Sequence, residues 1–359
     1  MTHCVIIARQ LQVVAWAGRG GCSGAASGSL ALGGVFPFPA QSFMMTPACF
    51  CPLVEDAPLS AQDFFNSARA IRTGLWLARH LSPAAGYRFA DAVAGMLGRR
   101  VRSPLVRTTA YNQRMVLGAQ TPDAVIAQAT RNVFRRAGRA YFDLYRALAV
   151  GKQAVLDAVT FLPQAEAALD VLTAHPQGSI IISPHISNFD LAGLAFATRD
   201  HPTLLLAYPT PTSGYDVQNQ IRRDWGFEVL PIAVGALRQA MRHLKQGGML
   251  ITGIDRPDPL GSGERLPFFG RAARLPTGHV RLALQTGALL ALAHCYADPA
   301  QPHHYIIDIA PPFHLEPGED RRQSISDHAA KILAASETII RAHHEEWLMF
   351  YTIWDEQPG

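Results

Sequence analysis

Cysteine is almost absent from the body of this chain: Cys4, Cys22, Cys49 and Cys51 fall in the first 51 residues, and only Cys295 follows. A single thiol closes no internal bridge, which excludes a disulfide-framed scaffold and points to a reducing compartment. Charge is also sparse, at 17% of residues, and the net +4 comes from scattered arginines with no basic block. With no zinc-finger spacing and no aromatic-basic signature, nucleic acid is not an expected partner. Anionic small ligands or an anionic lipid surface suit the mild basicity. Long apolar runs are missing too: Arg9, Gln10 and Gln12 interrupt the apolar lead from Cys4 to Gly18, which argues against a secretory or spanning segment. There is no internal repeat, zinc-protease helix motif, Walker loop or Gly-x-Ser-x-Gly elbow.

What is present is apolar and alternating. Apolar residues make up 48% of the chain, enough for a sizeable core with some surface left over for lipid. Three regions are expected. Residues 1–58 are a low-complexity extension around Gly18–Gly28, and a natural start at Met44 or Met45 is an alternative reading of it. Residues 59–175 are helical. Their first helix, Ala61–Arg79, places Phe64, Ala68, Ile71 and Leu75 on one stripe and Arg69, Arg72 and Arg79 on other faces. With Trp76 it fits either an in-plane membrane anchor or a helix packed on its own domain. Further helices are expected at Pro83–Gly98, Pro122–Gly151 and Pro163–Ala174.

Residues 176–359 alternate between strand-like runs (179–183, 203–207, 228–231, 249–253, 288–294 and 305–309) and helix-like segments, ending in a helix at Arg322–His344. The expected fold class is therefore α/β, a mainly parallel sheet flanked by helices. The apolar strands read as buried on both faces.

Histidine followed by an acid five residues on is a weak signal. With 14 histidines and 28 acids in 359 residues, about one such pair arises by chance, and the chain has three. Context separates them. His303 and Asp308 lie along a strand-like run, and His314 and Glu319 sit in a Pro/Gly-interrupted loop. His185 directly follows the buried run Ile180-Ile-Ile-Ser-Pro184 and precedes a helix carrying Asp190, so it stands at the carboxyl end of a strand, where ligand sites of α/β sheets concentrate. Neutral imidazole suits a general base acting on a hydroxyl, with a carboxylate on its other nitrogen fixing the tautomer. The competing reading is structural, since Ser187-x-x-Asp190 is also a capping-box pattern.

A second segment, Gly253-Ile-Asp-Arg256 through Pro267-Phe-Phe-Gly270, delivers Asp255 and Arg256 to the same sheet edge, followed by a Gly/Pro-rich loop. Phe268 and Phe269 would form an apolar wall beside the histidine, or simply a buried pair. Arg222 and Arg223, with Arg265, Arg271, Arg274 and Arg281, are candidates for anionic or sugar groups, set against the plainer reading of solvated arginines.

On His185–Asp190, on Asp255 with Pro267–Gly270, and on the closing helix running into His343-His-Glu-Glu-Trp347, the chain resembles the lipid A biosynthesis acyltransferase family over about residues 62–356. That family includes phosphatidylinositol mannoside acyltransferases and is related to glycerol-phosphate acyltransferases. The resemblance implies transfer of a fatty acyl group from acyl carrier protein or coenzyme A, as co-substrate, to a hydroxyl of a glycolipid or phospholipid at the cytoplasmic face of the cell membrane. It implies no metal and no further cofactor. By the resemblance His185 would be the base and Asp190 the orienting acid, with Asp255 and Arg256 at the family's polar motif; these two, with Arg222, Arg223, Phe268 and Phe269 read from the residues alone, are the expected substrate-binding set. The chain departs from the family in having Ser187-Asn-Phe-Asp190 and His344-Glu-Glu-Trp347 where the lipid A branch has Gly-Asn-Trp-Glu-like and Pro-Glu-Gln-Trp residues; these departures bear on the acceptor. A lipid esterase or phospholipase, and a non-catalytic lipid-binding protein, are the competing functions.

Overall fold

Strand β2 (Ser179–Ser183) runs up the middle of a seven-stranded sheet. The other strands are β1 (Val159–Phe161), β3 (Thr203–Ala207), β4 (Glu228–Pro231), β5 (Met249–Gly253), β8 (Leu289–Ala297) and β9 (Tyr305–Ile309), in the order β1-β9-β8-β2-β5-β3-β4. All neighbours are parallel except β8 and β9. The computed structural model describes residues 67–354 apart from 210–212 and 258–263. The expected extension over 1–58, the alternative starts and the first turns of the Ala61 helix lie outside the described residues.

The continuous apolar runs become strands because both faces are covered. Ile180, Ile182, Leu204 and Leu250 point to one face, covered by α9 (Val234–Lys245), α10 (Gly278–Thr286) and α11 (Arg321–Ala342). Ile181, Met249 and Ala291 point to the other, covered by α6 (Pro163–Ala174), α7 (Phe189–Ala197) and α8 (Ser213–Asp224).

The helical region comprises α1 (Ala68–His80), α2 (Pro83–Gly98), α3 (Pro104–Leu117), α4 (Asp123–Val150) and the short α5 (Lys152–Asp157). Ser67 and Ser82 cap α1 and α2 through their hydroxyls, and Pro83 stands in the first turn of α2, where its missing N–H costs nothing. Ile71 and Ala78 of α1 are buried in the core on the sheet face of Ile181, while Arg69, Arg72 and Trp76 face outward. Asp143, buried within α4, accepts hydrogen bonds from Tyr87 and Tyr305 at 2.6 Å each and meets His303 Nδ1 at 2.6 Å. Those bonds tie α2 and β9 to α4.

Several elements were not expected from sequence, the short α5 among them. Helix α3 carries buried Asn112 and Gln113 in place of a clean apolar stripe. Strand β1 is only three residues long. Residues read as a loop instead form a hairpin, β6 (Glu264–Phe268) and β7 (Arg271–Leu275). Its turn, Phe269-Gly270, has φ of 51° and 74°, the left-handed pair that matches strand twist in a two-residue hairpin loop.

Beyond α11 a 3₁₀ turn (His344–Glu346) leads into a strap that crosses the core to Trp354. Asn112 donates to the carbonyls of Met349 and Tyr351, and Gln113 to that of His344, so the polar face of α3 is matched to strap backbone. Trp354 Nε1 donates to the Phe268 carbonyl, and Arg274 N to that of Ile353, which joins the strap to the hairpin.

Candidate active site

Parallel register sets the central pair. Ser183 of β2 lies opposite Gly253 of β5. Each strand continues two residues past its last pairing, to His185 and Asp255, which therefore meet at the sheet's carboxyl edge. His185 Nδ1 is 2.5 Å from Asp255 Oδ1, and the His185 backbone N–H donates to Oδ2 at 2.8 Å. Trp347 Nε1 donates to the same Oδ2 at 2.8 Å. Asp255 is fully buried and held from both sides.

This changes the expected pairing. Asp190 does not bond the imidazole; its Oδ1 accepts from Arg222 Nε at 3.1 Å and from a terminal nitrogen of Arg222 at 2.5 Å. Asn219 Oδ1 takes the other terminal nitrogen at 2.9 Å. The physical reason is the turn between β2 and α7. Ser187 sits at φ 53° and Asn188 precedes α7, which sets Asp190 in the first turn facing α8. The capping-box alternative is not formed either, for the helix cap, Asn188, makes no side-chain cap bond and donates to the Ala140 carbonyl. The other two spacing matches also dissolve: His303 bonds Asp143, and His314 packs edge-on to His175.

Electrostatics favour neutral imidazole. Burial lowers the His185 pKa, the nearby Arg256 cation adds to this, and Asp255 opposes it. Burial alone would raise the Asp255 pKa, but the imidazole and the bonds from His185 and Trp347 outweigh it and leave it below the usual range. With Nδ1 held by Asp255, the tautomer is fixed and Nε2 is the nitrogen left for a substrate proton. The ring packs edge-on against Phe189, centroids 4.8 Å apart.

His185 lines a cavity of about 260 Å³. Polar Asp190, Tyr215, Arg222 and Arg256 share its lining with apolar Ile181, Phe196, Leu205, Ile251 and Ile307. Arg256 donates to Tyr215 Oη at 2.9 Å, its guanidinium lies 5.5 Å from the Tyr351 ring centroid, and its buried Nε has no hydrogen-bond partner.

Of the remaining sequence candidates, Arg281 also lines the cavity, while others fall elsewhere. Arg223 is exposed on α8 and does not line the cavity. Phe268 and Phe269 are buried in the core behind Trp347, with ring centroids 6.3 and 6.0 Å from it, and are not a cavity wall. They support the indole that holds Asp255. Tyr215 was not singled out from sequence, and neither was the hydrogen bond of Trp347; no local spacing marks either. Among the described residues no cluster of histidine, cysteine or acidic side chains is arranged to hold a metal.

Fold and site together define a mixed α/β protein with a buried His–Asp pair at an apolar cavity. Residues 68–356 match the model of the bacterial lipid A biosynthesis acyltransferases, and the chain belongs to that family. It is 26% identical over 191 residues to a phosphatidylinositol mannoside acyltransferase of Mycobacterium tuberculosis, covering 52% of this chain and 57% of that one. It is 32% identical over 124 residues to the protein of the same name from Mycolicibacterium smegmatis, covering 33% and 40%. The chain thus spans about half the length of the curated relatives it matches. Among solved structures it is similar to the 1-acyl-sn-glycerophosphate acyltransferase of Thermotoga maritima, at 14% identity and a TM-score of 0.33, over 68% of this chain and 98% of that one.

Proposed function

We propose that the protein transfers a fatty acyl group from a thioester donor, coenzyme A or acyl carrier protein, to a hydroxyl of a glycolipid or phospholipid. The observation that carries this reading is the His185–Asp255 pair at an apolar cavity, in a member of an acyltransferase family. The acyl chain occupies the apolar part of that cavity and the acceptor hydroxyl approaches His185 Nε2. Imidazole takes the hydroxyl proton as oxygen attacks the thioester carbonyl, and Asp255 stabilises the imidazolium that forms. The oxyanion is met by Arg256, whose Nε lacks a partner and whose charge lies beside the ring. On collapse the C–S bond breaks and the imidazolium returns the proton to the leaving sulfur. The names of the mycobacterial relatives favour a phosphoinositide glycolipid as the acceptor class.

Attachment to the cytoplasmic face of the cell membrane belongs to the same proposal. Trp76, Phe89 and Met96 are exposed on α1 and α2, interleaved with exposed Arg69, Arg72, Arg88 and Arg99. Large apolar side chains among arginines suit the interface of an anionic bilayer. No helix among the described residues is long and apolar enough to cross a membrane.

An esterase would need a protein nucleophile, and Ser183, the cavity-lining hydroxyl nearest His185 in sequence, donates to the Pro184 carbonyl. Labelled acyl transfer by membranes carrying wild type, His185→Ala or Asp255→Asn, offered a panel of glycolipid and lysophospholipid acceptors, tests the proposal. Both variants are expected to lose about a hundredfold or more. Equal transfer by all three proteins would remove His185 from the chemistry.

A further inference from the structure

The carboxylate of Asp255 is fully buried, and a buried carboxylate is costly unless its oxygens are met by donors. Oδ1 meets His185 Nδ1, while Oδ2 accepts from the His185 amide and from the Trp347 indole, at 2.8 Å each. Two of these bonds come from the residue that Asp255 itself orients. The indole is therefore the independent hold on the carboxylate among the described residues. An indole N–H donates and never accepts, so together with the amide it leaves no place for a proton on Oδ2.

Several contacts fix where that indole stands. Residues 346–348 pair with 185–187: the Ser187 amide donates to the Glu346 carbonyl and the Leu348 amide to the His185 carbonyl, at 2.8 Å each, with Ile186 and Trp347 forming an antiparallel bridge. The buried Glu346 side chain accepts from the Ala297 amide at 2.9 Å and from Arg136 at 3.1 Å, which anchors the strap to β8 and α4. The Trp347 ring is 1% exposed and packs against Phe268 and Phe269. Packing alone could be served by an all-carbon ring. Trp354, stacked on the same Phe268, sends its own N–H to a backbone carbonyl and not to the site.

We propose that Trp347 is a positioning residue for acyl transfer: its indole N–H, acting through Asp255, keeps His185 neutral, in one tautomer and in place. The inference rests on the acyl-transfer reading above. The bond spreads the carboxylate's charge onto the indole, so Asp255 pulls less strongly on a proton at His185 and the imidazole stays a free base. It also keeps the carboxylate from turning, which holds Nδ1 and leaves Nε2 for the acceptor hydroxyl. The charges facing His185 are Asp255 and Arg256 at the end of β5 and Asp190 of α7. Removing the indole N–H takes away none of them.

The test compares the intact protein with Trp347→Phe, which keeps an aromatic ring and loses the N–H. Trp354→Phe is the matched control, losing an indole bond in the same cluster but none to Asp255. His185 is titrated by NMR in histidine-labelled protein, its signal assigned by its absence from His185→Gln, and acyl transfer is measured across pH. Without the indole bond the carboxylate attracts a proton more strongly, so in Trp347→Phe the His185 midpoint and the acid limb of kcat/KM should rise together, by about half a pH unit. The plateau kcat should fall about tenfold with donor and acceptor KM unmoved. Trp354→Phe should lower the melting temperature comparably and leave the midpoint where wild type has it. Biosynthetic replacement of tryptophan by 5-fluorotryptophan, a stronger donor of nearly the same size, should shift the midpoint downward without a substitution that could unfold the chain. An unmoved midpoint in either altered protein overturns the inference, as does an upward shift that Trp354→Phe reproduces. A shifted midpoint in a protein that transfers no acyl group supports the role of Trp347 and sinks the reaction; transfer with an unmoved midpoint does the reverse.

Discussion

The imidazole of His185 lies directly over Gly253: a Cβ added at residue 253 would stand 2.4 Å from Cε1 of the ring. The ring has little freedom to yield, because Asp255 holds Nδ1 and Phe189 packs on its edge. Gly253→Ala is therefore expected to shift the base by a fraction of an ångström to an ångström and cut kcat/KM by about a hundredfold, with a small change in thermal midpoint. A variant with wild-type turnover would mean that the ring is not positioned by this contact.

The two carboxylates should behave differently. Asp255→Asn removes the acceptor that fixes the tautomer, and kcat should fall by about a thousandfold or more in a well-folded protein. Asp190→Ala strips the partner from Arg222, whose side chain is 11% exposed, and should cost about 3 kcal/mol of stability. Adding Arg222→Met should recover most of that loss in a denaturant-melt cycle. If Asp190→Asn abolishes turnover while leaving stability untouched, Asp190 belongs to the chemistry and the division of labour drawn here is wrong.

Activity should have an acid limb set by His185. Its pKa is lowered by burial and by Arg256, so kcat/KM should remain on its plateau below pH 6.5 before falling as the base takes up a proton. Asp255 raises that pKa, so in the weakly active Asp255→Asn protein the limb should move to still lower pH. A limb displaced upward would contradict the assignment.

Stability should also fall in acid, through histidines other than His185. Burial lowers His279 and His294 from 6.5 to about 4. Between those values the unfolded chain binds protons that the native chain does not, so stability is retained above about pH 6.5 and lost as pH falls toward 4. The loss should reach a few kcal/mol by pH 4. His279 Nε2 is buried without a hydrogen-bond partner, so His279→Leu should flatten the acid slope of the melting curve without loss of stability at pH 7. A slope unchanged by that substitution would place the acid sensitivity elsewhere.

Much of the sheet was legible because its strands are short continuous apolar runs between breakers; Ile180–Ile182 and Met249–Ile251 admit few other readings. The hairpin was hidden by Pro267 and by the glycines before it, although Leu266, Phe268, Ala273 and Leu275 alternate in burial as a half-covered ribbon should. Helix α3 was hidden because its buried face is partly polar, matched to backbone more than 230 residues away. The site was half visible. His185 showed itself by standing at a strand end, but the nearest acid in sequence was the wrong one to pair with it. Its carboxylate partner comes from a neighbouring strand 70 residues on, a fact of sheet order that no local spacing encodes.

The strap after α11 supplies the last part of the chain that backs the site. The Leu348 amide donates to the His185 carbonyl, the Ser187 amide to that of Glu346, and Trp347 completes the shell of Asp255. Translation delivers His185 and Asp255 well before these residues, so a nascent chain can build the sheet while its histidine is still without this backing. A ribosome-bound intermediate would hold the nucleus of the fold with an unfinished catalytic pair. The pair would gain its last support only when the tryptophan docks.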